Sequence, residues 1–126
     1  MLVHLDTTML VDAFTGERRS LAAVRTATAR GDSLTFSTIV LYEWLRGPRV
    51  ESETSAVEAF IGSDVLAVFG QREAERAAAL YRRVRGARQR QANLAIAACA
   101  IHRGASLWTL NTADFDDVPG LTLYRL

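Results

Sequence analysis

Asp6, Glu43 and Asp114 stand in stretches of sequence that otherwise build a hydrophobic interior. Asp6 ends the apolar run Leu2-Val3-His4-Leu5, Glu43 lies inside Ile39-Val40-Leu41-Tyr42-Glu43-Trp44-Leu45, and Asp114 closes Thr109-Leu110-Asn111-Thr112-Ala113-Asp114-Phe115. Desolvating a carboxylate is costly unless something offsets its charge, so three acids in apolar settings suggest a shared cation. Carboxylate oxygens suit a hard divalent ion such as Mg2+ or Mn2+, which keeps waters that can be positioned for attack on phosphorus. Each acid has a plainer alternative. Asp6 can cap a helix beginning near Thr8, and for that residue the two readings balance. Glu43 can pair with Arg46 at helical spacing, but its apolar flanks favour the ligand role. Asp114 taken alone reads as a solvated turn residue, and Asp116 or Asp117 beside it could equally be the ligand.

Bringing these acids together requires a particular kind of scaffold. At 126 residues, 49% of them hydrophobic and 23% charged, the chain has the size of one ordinary domain spanning 1–126. Short strands are predicted near residues 2–5, 34–36, 65–68, 107–109 and 122–124, where β-branched, aromatic or leucine-rich runs are bounded by turn formers. Helices are predicted over Ser20–Arg30, Ser37–Arg46, Ser55–Ile61, Glu73–Arg85 and Ala92–Arg103, rich in Ala, Leu, Arg and Glu with apolar positions recurring at three and four. Gly16, Gly31, Gly47, Gly62, Gly86 and Gly104 each follow a helical segment, where a left-handed residue would end it. The alternation predicts an α/β layered fold with a mainly parallel sheet covered on both faces and ligands gathered at the strands' carboxyl ends. Asp6 then falls just past the first strand and Asn111 to Asp114 just past the fourth. The helix carrying Glu43 must turn inward.

Composition excludes more than it identifies. All fifteen basic residues are Arg and none is Lys, against fourteen acids, for a net charge of +1. A coding bias explains the missing Lys as well as phosphate binding does, so only the clustering of Arg counts. Cys99 is the sole cysteine, in an apolar stretch, which fits a reducing compartment. The N-terminus lacks a basic n-region and no apolar run approaches the ~18 to 20 residues of a membrane span, so a soluble, cytoplasmic protein without a membrane partner is expected. There is no Cys pair, zinc-type His cluster, Walker loop, dinucleotide glycine motif or persuasive Ser, His and Asp arrangement. His4 shares the strand face of Asp6 and reads as packed, while His102 reads as solvent-facing. Phe14, Trp44, Phe60, Phe69 and Tyr81 read as core or interface.

The ordered set Leu5-Asp6-Thr7, Glu43-x-x-x-Gly47, an apolar helix from Asn93, and Gly104-x-x-Leu107-x-Thr109-x-Asn111-x-x-Asp114-Phe115 resembles the PIN-domain ribonucleases, specifically bacterial VapC-type toxins of type II toxin-antitoxin systems. The resemblance covers nearly the whole chain. It implies a Rossmann-like α/β/α PIN fold and a Mg2+- or Mn2+-dependent endoribonuclease that cleaves RNA as a homodimer and is neutralised by a cognate antitoxin. By match, Asp6, Glu43 and Asp114 become the metal-binding acids, with Thr109 and Asn111 as hydrogen-bonding support and Thr7 contributing its hydroxyl or backbone. The apolar helical stretches before Gly47 and Gly62 offer a homodimer face or an antitoxin groove, although core packing accounts for most of their residues.

One position departs from the pattern. Where similar toxins begin the helix after the Arg-rich stretch with Asp, this chain has Asn93. Asparagine is nearly isosteric but uncharged, and a unit charge against another ~4 Å away is worth about 4 kcal/mol at an effective dielectric near 20. Asn93 therefore completes the catalytic set Asp6, Glu43, Asn93 and Asp114 with weakened metal affinity and with activity reduced or abolished, either as a natural variant or as a deliberate inactivation. Without the resemblance it reads as a helix N-cap. Arg82, Arg83, Arg85, Arg88 and Arg90 precede it, and Arg88 and Arg90 in particular could draw a phosphate backbone, or else form a solvated helix end or dock an acidic partner. A non-catalytic RNA-binding or regulatory PIN-like module is the competing class, and another metal hydrolase the third.

Overall fold

The computed structural model describes residues 1–61 and 66–126. β1 (Leu2–Leu5) is the centre of a parallel sheet, with β2 (Ser33–Thr35) on one side and β3 (Ser106–Trp108) on the other. Val3 and Leu5 alternate with His4 across this strand and all are buried, so both faces of β1 are covered, as a parallel strand requires. From β1 the chain passes through α1 (Thr7–Phe14) and α2 (Leu21–Ala29) to β2. It returns to β3 by way of α3 (Thr38–Arg46), α4 (Glu51–Phe60), α5 (Gln71–Tyr81) and α6 (Gln91–His102). Strand order reverses at β1, and the crevice beyond its carboxyl end is where open α/β sheets take ligands.

α6 is apolar on every side, and Leu94 through Ala100 are all buried. Such a helix belongs inside the protein, and α5, α3 and β3 pack against it. α5 is its opposite, with Leu80 its buried residue and Arg72, Glu73, Glu75 and Arg76 charging its first half. α3 buries Val40 and Trp44 and turns Tyr42 and Leu45 outward, which rolls the intervening Glu43 toward the sheet's carboxyl rim. Ser37 starts that helix by accepting a hydrogen bond from the Val40 N–H at 3.2 Å.

The predicted elements hold with shifts that have local causes. β2 and β3 each begin and end one residue earlier than expected. α1, anticipated only as a helix that Asp6 might cap, is a full element. α4 begins at Glu51 rather than Ser55 because the Glu53 carboxylate accepts the Val50 N–H at 2.9 Å, and α5 begins at Gln71 because Glu73 does the same for Gly70 at 3.1 Å. The strands expected at 65–68 and 122–124 are single parallel bridges, Ser37 with Ala67 and Leu107 with Leu123. Beyond Ala67 the chain turns at once into α5, with Gly70 N–H on the Val68 carbonyl, and beyond Trp108 β3 gives way to side-chain bonds that pull Thr109 toward Asp6. Val65 lies outside the described residues, as does Gly62. Gly16, Gly31, Gly86 and Gly104 have the expected left-handed φ, but Gly47 does not; its φ is −75° and it leaves the helix in extended conformation.

Candidate active site

Asp6 is the residue on which the site turns. Its backbone occupies the N-cap position of α1, with its carbonyl accepting from Met9 and Leu10 N–H at 3.1 Å each, yet its carboxylate makes no capping bond. The side chain is drawn sideways instead. Oδ2 accepts the Thr109 hydroxyl at 2.7 Å and the Thr8 hydroxyl at 2.9 Å, and Asp6 is only 3% exposed. Those two hydroxyls lie 3.3 Å apart, and backbone N–H groups hold them: Leu110 donates to Thr8 Oγ1 at 3.2 Å and Asn111 to Thr109 Oγ1 at 3.0 Å. The cap reading of Asp6 is thus right for its backbone and wrong for its charge.

Glu43 is fixed by the neighbouring helix. Thr7, the first residue of α1, donates its hydroxyl to Glu43 Oε1 at 2.5 Å, joining α1 to α3. The Glu43–Arg46 pair does not form among the described residues; the Arg46 guanidinium lies over Tyr42, 5.3 Å from the ring centroid. In both acids one oxygen is engaged by threonine and the other, Asp6 Oδ1 or Glu43 Oε2, accepts no hydrogen bond among the described residues.

A cleft of about 380 Å³ opens beside these oxygens, lined by Asp6, Thr7, Thr8, Glu43, Arg46, Gly47, Arg49, Asn93 and Asn111. The end of β1, the starts of α1 and α6, the middle and end of α3, and the residue following β3's exit therefore meet in one place. Asn93 is half-buried at the third position of α6, whose N-cap is Arg90, so it does not act as the cap. Its amide makes no hydrogen bond among the described residues.

Asp114 is not in this cleft. It ends a 3-10 turn (Thr112–Asp114), is exposed, and its carbonyl rather than its carboxylate is engaged, accepting from Arg90 Nη2 at 2.7 Å. Among the described residues no three His, Cys, Asp or Glu side chains come close enough to hold a metal ion together. The oxygen-bearing side chains lining the cleft are two carboxylates, two amides and the two threonine hydroxyls that clamp the acids, a hard set from which Mg2+ can be held through one or two carboxylates with water completing its shell. By donor chemistry, then, Asp6 and Glu43 fit a divalent cation, with Asn93 and Asn111 as neutral neighbours.

The two arginines expected at phosphate part company. Arg90 is 16% exposed in its side chain and grips Asp117 with both ends of its fork, at 2.6 and 3.0 Å, while also donating to the carbonyls of Arg85 and Asp114. The Asp117 carboxylate holds the guanidinium's pKa up, and Arg90 in turn holds Asp117's down. Arg90 is a strut between α6 and the turn after β3. Arg88 stays exposed. Sequence reasoning missed Thr8 and Arg49. Thr8 carries a signal, a hydroxyl two residues after an acid, which is the spacing of a local side-chain hydrogen bond.

The chain belongs to the PIN domain family, whose model matches residues 3–121. Within that family it is 33% identical over 119 residues to Ribonuclease VapC19 of Mycobacterium tuberculosis, in strains CDC 1551 / Oshkosh and ATCC 25618 / H37Rv, an alignment spanning 93% of this chain and 94% of that protein. Solved structures share the fold. VapBC2 from Rickettsia felis bound to a promoter DNA fragment matches with TM-score 0.72 at 24% identity, and DNA-bound VapBC from Salmonella typhimurium with 0.73 at 22%, each over 98% of both chains. VapBC-1 from nontypeable Haemophilus influenzae matches with 0.67 at 19%, over 98% of this chain and 97% of that one.

Proposed function

We propose that this VapC homologue is one PIN domain acting as a metal-dependent endoribonuclease toxin, and that RNA is cut in the cleft between Asp6 and Glu43. One observation carries the reading: two acids from separate elements converge on a single cleft, each clamped by threonine through one oxygen, with the other left without a hydrogen bond among the described residues. Clamping removes the rotational freedom of both carboxylates before any ligand arrives, the preorganisation that makes charged groups effective at a reacting centre. A Mg2+ or Mn2+ ion held by Asp6 and Glu43 would supply Lewis acidity toward a phosphate oxygen. The chain's own contribution is to fix the acids, to place the amides of Asn93 and Asn111 against the same space, and to limit negative charge there to two carboxylates. Asp114, the third expected ligand, would take part only if the turn that carries it moved toward the cleft.

Asn93 also supports a second reading, a non-catalytic RNA-binding or regulatory module, because the amide leaves the cleft with one charge fewer than the family pattern. The two readings separate on one substitution. Asn93→Asp should tighten Mn2+ binding, measured calorimetrically, and raise Mn2+-dependent cleavage of RNA, with Asp6→Asn abolishing both gains. Tighter Mn2+ binding without cleavage of any RNA would favour the binding module; unchanged Mn2+ affinity would remove Asn93 from the site.

A cognate antitoxin belongs to the same reading, since the solved relatives are VapBC assemblies. An apolar groove of about 250 Å³ between α3 and α4, where Leu41, Leu45, Val57 and Leu66 line the walls and Leu45 remains 55% exposed, has the character of a helix-binding groove. Homodimerisation and residence in the cytoplasm complete the proposal. No helix among the described residues is long and apolar enough to cross a membrane.

A further inference from the structure

Gly47 leaves α3 with an ordinary φ, so neither left-handed backbone nor a tight turn demands glycine there. What fills the space of its missing side chain is Arg49. A Cβ on Gly47 would lie 2.7 Å from Arg49 Nη2 and 3.0 Å from its Cζ. The same guanidinium lies over the indole of Trp44, 4.3 Å from the ring centroid, and Nη1 donates to the Pro48 carbonyl at 3.0 Å. Trp44 is 1% exposed and packed in the core, so the platform is rigid. Gly47 and Trp44 together make a berth for one flat cation.

That berth opens on the acid-lined cleft. Arg49 lines it with Asp6, Glu43 and Asn93, yet pairs with neither acid, and the bond to Pro48 is its only hydrogen bond among the described residues. Its Nε is buried without a partner among the described residues, so a ligand would meet the guanidinium at its Nη1 and Nη2 end. A guanidinium held by stacking, with N–H groups at its Nη1 and Nη2 end still unspent, suits an oxyanion, and stacking removes rotamer freedom that binding would otherwise have to remove. Arg46, exposed on Tyr42, is held more loosely.

We propose that Arg49, seated on Gly47 and Trp44, is a substrate-binding residue that takes a backbone phosphate of RNA beside Asp6 and Glu43. This rests on the reading of the cleft as an RNA-cleaving site. It also gives the glycine of Glu43-x-x-x-Gly47 a physical purpose, which is to leave room for the arginine two residues later.

The test is equilibrium binding of a single-stranded oligoribonucleotide with divalent ions chelated, so that no turnover is needed, across a range of salt. Arg49→Gln should weaken binding about tenfold, the scale of one charge-assisted contact, and reduce the logarithmic salt slope by about 0.7 for the one phosphate released. Gly47→Ala should weaken binding in the same direction with little change in Tm, because what a Cβ there displaces is the tip of the Arg49 side chain and not backbone. In the Arg49→Gln background it should cost nothing more, since the residue through which it acts has gone. Wild-type affinity and slope in Arg49→Gln, a full Gly47→Ala loss persisting in the double variant, or no RNA binding by the unaltered chain would each overturn the proposal. Intact, Arg49-dependent binding with no cleavage even by Asn93→Asp would overturn the nuclease reading alone.

Discussion

Thr109→Val tests whether the threonine clamp matters to the fold as well as to the cleft. Valine has nearly the shape of threonine, so the substitution leaves no cavity and removes one hydroxyl. That hydroxyl donates at 2.7 Å to the carboxylate of Asp6, which is 3% exposed and has little water to turn to. A hydrogen bond to a charged group contributes roughly 1.5 to 3 kcal/mol. Thr8 still donates to the same oxygen, which limits the loss, and the Asn111 N–H freed by the change is near the surface, where water can replace its partner at little cost. A destabilisation of about 2 kcal/mol follows. With an unfolding entropy of roughly 2.1 cal/mol/K per residue over 126 residues, Tm should fall by about 8 °C in thermal denaturation followed by circular dichroism in the presence of EDTA. The cycle with Asp6→Asn isolates the charge: against a neutral amide the same substitution should cost about 1 kcal/mol. A Thr109→Val protein that melts with the wild type, or a cost undiminished in the Asp6→Asn background, would show that the hydroxyl does not hold the acid.

His4 gives a pH signature. Burial, and then the positive charge of Arg103, push its pKa from 6.5 down to about 4, so the folded protein keeps the ring neutral where the unfolded chain would protonate it. The unfolded state binds more protons between those values, so stability is complete above pH 6.5 and declines as pH falls toward 4, by roughly 3 kcal/mol at about 1.4 kcal/mol per pH unit. His4→Leu should flatten the difference in that window; parallel wild-type and variant profiles would exclude His4 as its source. Arg90→Ala should lower Tm by several degrees through loss of its grip on Asp117 and two carbonyls, whereas Arg88→Ala should leave Tm alone. If RNA crosses the start of α6, Arg88→Ala instead reduces the salt slope of RNA binding by about 0.7, and equal Tm values for the two variants would deny Arg90 its role as a strut.

Much of this architecture was legible because short strand-forming runs and longer helix-forming runs are set apart by turn formers. Leu2-Val3-His4-Leu5 and the run from Leu94 to Ala100 could hardly be other than a buried strand and a buried helix. What was not legible was tertiary in origin. No local rule shortens residues 122–124 to one paired residue, or says that Gly47 is a glycine to admit a side chain rather than to bend the backbone. That Asp6 and Glu43 share one cleft was legible for a different reason: a charge surrounded by apolar neighbours is costly to bury unless something offsets it.

Asp114 shows where that reasoning ends. The family resemblance implies a ligand there, but the segment winds into a 3-10 turn after Asn111. Three residues of such a turn advance the chain by ~6 Å, enough to separate a residue lining the cleft from one on the open surface. Arg90 then fixes the separation by bonding the Asp114 carbonyl and the Asp117 carboxylate together. A letter at a motif position therefore does not say whether its side chain or its backbone is the part in use. The consequence for chemistry is specific. With amides at Asn93 and Asn111, the carboxylates lining the cleft are those of Asp6 and Glu43, so a metal held there would depend on each of them more than in a chain that carries acids at all positions of the pattern. Asp6 and Glu43 are the two that the threonines clamp.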